Sequence, residues 1–218
     1  MKTRTQRGFD FLAPFYEAGV RFFFGESIYE SQVFFLSRFP GSNSVLILGG
    51  GSGRLLSAIA LENKPAHICY IDISPKMILK ARERITQAAP HFLDRIDFVC
   101  GSVADIPANK SFDLIITPYV LDCIPDPELE GFMSALLRVL KEGGFWLFSD
   151  FNIPVKGFQR IRALLITRIL YFFFNFVCNL GIRSLPDFEV VFHRMGLRKI
   201  DAKYFRRGLL TSKVYERI

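Results

Sequence analysis

An α/β architecture, with a mostly parallel sheet covered by helices on both faces, is what this chain of 218 residues predicts. Three observations carry that expectation. Five short apolar runs are separated by segments with helical spacing. The first of them ends in a glycine cluster, VLILGGGSG. The chain closes on two further strand-like runs with a tight turn between them. Parallel strands need crossover connections, and strands buried on both faces read as near-continuous apolar runs.

Residues 1–43 read as a helical cap, with LAPFYEAGVRFFFG and SIYESQVFFLSRF parted by Gly25 and closed by Pro40-Gly41. The α/β core, residues 44–150, opens with a strand over Val45–Leu48 and a helix from about Arg54 to Leu61. A strand over His67–Ile71 leads into Ser74-Pro75, a serine cap followed by proline at the first helical position. That helix should run to Ala88 or Ala89. Strands follow over Ile96–Cys100 and Phe112–Thr117. A helix over Glu128–Leu140 should end in a left-handed cap at Gly143-Gly144, before a fifth strand over Phe145–Ser149.

Residues 151–186 hold a Phe-rich helix, IRALLITRILYFFFNFVCNLGI, apolar on every side of its wheel, which predicts burial all round. Arg162, Arg168, Asn175 and Asn179 interrupt it, so a membrane span is disfavoured while peripheral membrane contact stays open. Residues 187–218 should supply a short helix in LPDFEVVFHRMGL and a final hairpin from KIDAKYF and LTSKVYERI.

Composition narrows the class. An apolar fraction of 50% supports one packed domain. The 28 Lys+Arg against 21 Asp+Glu make the chain basic, but the cations are scattered without an aromatic-interleaved arm, so no nucleic-acid partner is expected. Cys69, Cys100, Cys123 and Cys178 lack paired short spacing and read as free thiols of a cytoplasmic protein. The basic opening MKTRTQRGFD is not followed by the apolar stretch of a signal peptide.

The glycine turn after the first strand lets backbone N–H groups and a helix N-terminus approach a ligand. GGGSG is followed by Arg54-Leu55, not the Lys-Ser/Thr of a phosphate loop, and Gly49, Gly51 and Gly53 lack dinucleotide-fold spacing. Asp72 ends the second strand about 20 residues on, where a carboxylate can accept from both hydroxyls of a ribose. The two features together point to an adenosine-containing ligand.

The stretches VLILGGGSG, YIDISPKMILKAR, SFDLIITPYVLD and LLRVLKEGGFWLFSDF resemble the successive motifs of the class I S-adenosylmethionine-dependent methyltransferases, in that family's order and spacing. The resemblance implies the Rossmann-like fold of that family: a mostly parallel seven-stranded sheet, the last strand antiparallel, with helices on both faces. It implies S-adenosylmethionine as cofactor, with Gly49, Gly51 and Gly53 under the methionine part, Asp72 on the ribose and Ile73 on the adenine. Ser102 and Val103, in CGSVADIP, would surround the adenine edge, and Thr117 and Pro118 would line the methyl end. Two positions depart from the pattern. Ile47 stands where the family has an acidic residue, and Ser102 where Asp or Asn is frequent.

Methyl transfer from a sulfonium needs alignment and exclusion of water more than acid or base help. Asp122, Tyr119 and Tyr16 are the candidates for a base, each with a blander reading as a cap or pocket wall. His91 and His193 have no expected role, and no His/Cys/Asp set has metal-ligand spacing, so no metal is expected. The two Phe-rich parts suit a small apolar or aromatic acceptor, with Phe172 and Phe173 as pocket wall. The stretch DFLAPFYEAGVRFFFG is similar to the ubiquinone and menaquinone biosynthesis branch. A homodimer seam along the Phe-rich helix is the alternative to a monomer. The rival functions are a non-catalytic S-adenosylmethionine or S-adenosylhomocysteine binder and an RNA or protein methyltransferase. TPYVLD lacks the Asp/Asn-Pro-Pro-Tyr motif of amino-group transfer.

Overall fold

The computed structural model describes residues 3–62, 65–107 and 109–218. Seven strands form one sheet: β1 (Ser44–Leu48), β2 (His67–Asp72), β3 (Ile96–Cys100), β4 (Phe112–Pro118), β5 (Leu140–Phe151), β6 (Leu197–Phe205) and β7 (Leu210–Arg217). Their order is β3-β2-β1-β4-β5-β7-β6. The first five run parallel, and β7 is antiparallel to both β5 and β6. The expected α/β fold and closing hairpin are therefore present. The order reverses between β1 and β4, the position at which open sheets leave a crevice beyond the strand ends.

Alternate residues of β1 point to opposite faces, as the two-residue period of a strand requires. Val45 and Ile47 join one core with Leu56 and Ile59 of α4 (Arg54–Glu62) and Ala81 and Ile85 of α5 (Pro75–Ala88). Leu46 and Leu48 join the other with Met133 and Leu136 of α6 (Asp126–Val139) and Trp146 and Phe148 of β5. Phe192 of α8 (Phe188–Arg194) closes that second core, stacked on Tyr215 at 3.9 Å. The Ser74-Pro75 start behaves as its residues demand, the Ser74 hydroxyl accepting from the Met77 N–H at 3.2 Å.

Three departures from the sequence expectation have physical causes. The helix before β5 ends at Val139, and Leu140 is already extended. Gly143 is left-handed (φ +69°), but inside the strand and not at a helix cap. Phe112 pairs with Leu140 while Leu114 pairs with Phe145, so the residues between form a bulge. A Cβ on Gly144 would lie 2.8 Å from the Lys141 carbonyl oxygen and 3.2 Å from that of Asp113.

The cap is built of α1 (Arg4–Leu12), α2 (Tyr16–Phe24) and α3 (Ser27–Val33). Helix α1 was not legible as an element of its own. Thr3 caps it, accepting from the Gln6 N–H at 3.2 Å, and it packs along α7 (Phe158–Cys178). Gly8 makes that approach possible, since a Cβ there would lie 2.5 Å from the Cys178 Cα.

Helix α7 is not buried all round. Ala163, Thr167, Tyr171 and Cys178 are buried, while Ile161, Leu165, Ile169, Phe172, Phe173 and Phe176 are exposed. It is the one helix among the described residues that is long and apolar enough to cross a membrane.

Candidate functional site

The turn after β1 builds one wall of a cleft at the carboxyl end of the sheet. Gly51 has φ +65°, and a Cβ there would meet nothing within 4 Å, so its bare backbone faces open space. Its N–H donates to Asp72 Oδ2 at 2.8 Å, and its carbonyl accepts from the buried Tyr70 hydroxyl at 2.8 Å. The glycine loop and the strand-end carboxylate are thus one unit. The other Asp72 oxygen accepts from the Ser74 N–H at 2.9 Å. Burial raises the Asp72 pKa, the two N–H donors pull it down, and Asp10 nearby raises it.

The cleft encloses about 140 Å³. Gly49, Gly51, Asp72, Ile73, Ser102, Tyr16 and Tyr119 all line it, together with Met77, Cys123, Phe132 and Leu180. An apolar slot beside a strand-end carboxylate and a glycine turn without side chains fits an adenosine with an attached amino-acid tail, so the lining suits S-adenosylmethionine.

Four named positions lie elsewhere. Gly53 supports the site from behind, because a Cβ there would lie 2.6 Å from the Ala81 Cα of α5. Val103 packs into the core beneath the turn. Thr117 is fully buried, its hydroxyl accepting from the Trp146 indole N–H at 2.9 Å, so Tyr119 and Val120 line the cleft in its place. Ile47 is a core side chain on the α4/α5 face, and the wall contributed by β1 is Leu48. Ser102 lines the cleft, although its N–H donates to Asp105 Oδ2 at 2.8 Å and its hydroxyl accepts from the Ala104 N–H at 3.3 Å.

Helix α1 covers the adenine side, a contribution the sequence did not reveal. Gln6 Nε2 donates to the Ile73 carbonyl at 3.0 Å, and Asp10 Oδ1 accepts from the Ser74 hydroxyl at 2.6 Å. Thr5 and Phe9 of the same helix line the cleft.

At the other end of the cleft lies a buried acid–phenol cluster. Asp122, in a short turn after β4, and Asp150 of β5 are both buried. The Asp122 N–H donates to Asp150 Oδ2 at 3.3 Å, and the Phe151 N–H donates to Asp150 Oδ1 at 2.8 Å. Burial pushes the Asp122 carboxyl up to about 6. Burial first and the Asp122 charge second raise Asp150 as well. Two such carboxyls titrate as a pair.

Tyr16 and Tyr119 stand between this pair and the cleft. Burial raises both phenols, with further upward pushes on Tyr16 from Cys123 and the aspartates. Both are therefore donors at neutral pH and not bases. Tyr119 shares a 2.7 Å hydrogen bond with Ser31 and has φ +53°, a left-handed backbone that costs about 1–3 kcal/mol for a non-glycine residue. Tyr171 of α7 joins the cluster, buried and with no partner for its hydroxyl among the described residues. Asp150 and Tyr171 were not singled out as acid or phenol of the site. They come from separate elements with no shared motif.

Phe172 and Phe173, expected in the pocket wall, face outward, and the cleft is closed instead by Phe9 and Leu180. A second cavity of about 660 Å³ opens between β5, β7 and the start of α7, lined in part by Phe151, Arg160, Tyr204 and Lys213. His193 and His91 are exposed, outside both cavities. Among the described residues no group of three or more His, Cys, Asp or Glu could hold a metal ion.

Comparison with known proteins agrees with this geometry. Residues 45–144 match the model of the methyltransferase domain family. A ubiquinone/menaquinone biosynthesis C-methyltransferase, UbiE, of Brucella canis is 24% identical over 188 residues, covering 79% of this chain and 68% of the relative. An O-methyltransferase family protein from Burkholderia thailandensis superposes with a TM-score of 0.70 at 18% identity, over 93% of this chain and 58% of that one. The magnesium protoporphyrin IX methyltransferase from Synechocystis, solved with S-adenosylhomocysteine, gives 0.64 at 17% identity, over 94% and 88%. Residues 45–144 carry the match to the methyltransferase domain, and the fold is that of the class I S-adenosylmethionine-dependent methyltransferases. The chain's relationship to the UbiE and O-methyltransferase proteins is at modest identity.

Proposed function

We propose that the acceptor is a small, apolar, hydroxyl-bearing ring and that the chain works in the cytoplasm with peripheral contact to a membrane. The observation that carries the acceptor reading is the chemistry of the cleft's far end. There the cleft-lining Tyr16, Tyr119 and Cys123 stand against the buried Asp122–Asp150 pair, while Phe9, Phe132 and Leu180 make the rest of the wall apolar. The four free cysteines fit a reducing compartment.

When bound, S-adenosylmethionine supplies an electrophilic methyl with a neutral thioether as leaving group. Gly49, Gly51 and Asp72 would hold that donor, with Ile73 and Met77 as the apolar wall beside them. The Phe9 and Leu180 side chains exclude water from the reacting centre. Tyr16, kept protonated, donates to an acceptor oxygen, while Tyr119, whose own proton goes to Ser31, can accept from the acceptor hydroxyl. The carboxyl pair takes up the proton that an acceptor hydroxyl must lose. Loss of that proton makes both the oxygen and the adjacent ring carbon nucleophilic.

The test is transfer of labelled methyl from S-adenosylmethionine to a panel of alkylated phenols and quinols, set against bulk RNA and protein. Transfer to the ring compounds supports the reading. Labelling of RNA or protein alone overturns it. S-adenosylhomocysteine binding with no transfer to any acceptor would favour the non-catalytic binder.

A further inference from the structure

The outer face of α7 has no partner among the described residues. Phe172 is 76% exposed and Phe176 79%, and Ile161, Leu165 and Ile169 continue the same stripe along the helix. Helix α2 lies alongside, since Phe24 packs on Phe151 within the core that holds Ala163, and it adds exposed Phe22 and Phe23. Contiguous apolar patches of this kind mark a surface that something covers.

The charges around the stripe select the occupant. Residues 151–186 contain Lys156, Arg160, Arg162, Arg168 and Arg183 and no Asp or Glu. Lys156, Arg160, Arg168 and Arg183 are exposed. The acidic residues of α1 and α2 are otherwise engaged: Asp10 is buried against Ser74, and Glu17 pairs with Arg84 at 2.6 Å. A second copy docking face to face would set this cationic rim against itself with no carboxylate on α7 to pair. An anionic lipid surface meets both the apolar stripe and its rim.

Helix α7 also cannot leave the fold to span a bilayer without losing its other face. Gly8 of α1 is closed against Cys178, Tyr171 is buried over the acid pair, and Asn175 is bonded twice to the Ile182 backbone, at 2.6 and 3.0 Å. We infer that α7, with the rings of α2, lies in the plane of an anionic membrane surface and holds the enzyme there with its cleft beneath. The inference deepens the reading of an apolar acceptor, because the inner face of the same helix packs in one cluster with Phe9, Cys123 and Leu180, which line the cleft, so that an acceptor dissolved in lipid is presented close to where it reacts.

The full chain should co-sediment with vesicles of phosphatidylcholine mixed with phosphatidylglycerol and far less with phosphatidylcholine alone. The paired substitutions Phe172→Glu and Phe176→Glu should lower that binding by about tenfold or more. Arg160→Gln and Arg168→Gln should lower it by about fivefold per cation, only where anionic lipid is present. All of these side chains are exposed, so S-adenosylhomocysteine affinity by calorimetry should stay unchanged and report an intact fold. Failure to sediment, or sedimentation indifferent to F172E/F176E, overturns the inference. So does equal binding to neutral vesicles. A dimer in analytical ultracentrifugation that F172E/F176E splits, without vesicle binding, would make the face a seam between copies. Vesicle binding by a chain that methylates no ring acceptor would leave the surface standing and overturn the acceptor reading alone.

Discussion

Asp72 carries two duties through four lone-pair positions. Its oxygens already accept from Gly51 and Ser74, which aim the carboxylate and leave further capacity on each oxygen for a ribose diol. Asp72→Ala should weaken S-adenosylhomocysteine binding by about tenfold or more, since a charge-assisted contact is lost. Calorimetry reads this, and an unchanged affinity would remove Asp72 from the site. The Asp122–Asp150 pair makes the opposite kind of prediction. A carboxyl whose folded pKa is raised binds its proton more tightly in the native state than in the unfolded one. Its burial therefore costs nothing below the unfolded value near 4 and costs progressively more as pH rises through the folded value near 6. Asp122→Asn should raise the melting temperature by several degrees at pH 8 and leave it unchanged near pH 4. The same substitution should lower kcat and abolish its rise with pH around 6, a dependence that a purely structural aspartate would not show.

At the scale of elements, the α1–α7 contact decides whether the cleft has a roof. Alanine is favoured over glycine by about 1 kcal/mol in a helix interior, so propensity alone would have Gly8→Ala stabilise the protein. The contact reverses that sign, because the new Cβ would fall 2.5 Å from the Cys178 Cα and 2.6 Å from the Val177 carbonyl oxygen, both backbone atoms. G8A should melt several degrees lower. It should also speed hydrogen exchange across Arg4–Leu12 and loosen S-adenosylhomocysteine, as Gln6 and Phe9 leave Ile73 and the cleft. An unchanged or higher melting temperature would show that α1 is not held at this point.

For the whole molecule, the sheet divides its duties between its ends. The carboxyl end carries the glycine turn, Asp72, the adenine turn and the acid pair. The amino end is tied by ordinary ion pairs, such as the Lys110–Asp97–His67 group joining β2 and β3 to the loop before β4. The proposed transfer requires no Lewis acid, since the leaving group would depart neutral and the acid pair would take up the proton. Activity before and after exhaustive chelation should agree. A loss restored by a divalent ion would point to Asp122 and Asp150 as its ligands.

The sheet and the donor half of the cleft were legible because their determinants are local. Gly51 and Asp72 lie within one strand–turn–helix–strand unit, where positive φ, a bare backbone and a strand-end carboxylate leave a short-range pattern. Thr117 shows where that reading stops: its place in the motif suited the cleft, but a buried indole N–H must find an acceptor, and Trp146 took the hydroxyl. The acid–phenol cluster joins Tyr16, Asp122, Asp150 and Tyr171 from four elements separated by most of the chain, and no local pattern links them. The facing of α7 was equally undetermined in the sequence, because a helix apolar on every side carries no preferred face. Packing chose it: the side with Ala163, Thr167 and Cys178 is narrow enough for close approach, so that side went inward and the bulky rings of Phe172 and Phe176 were left outside.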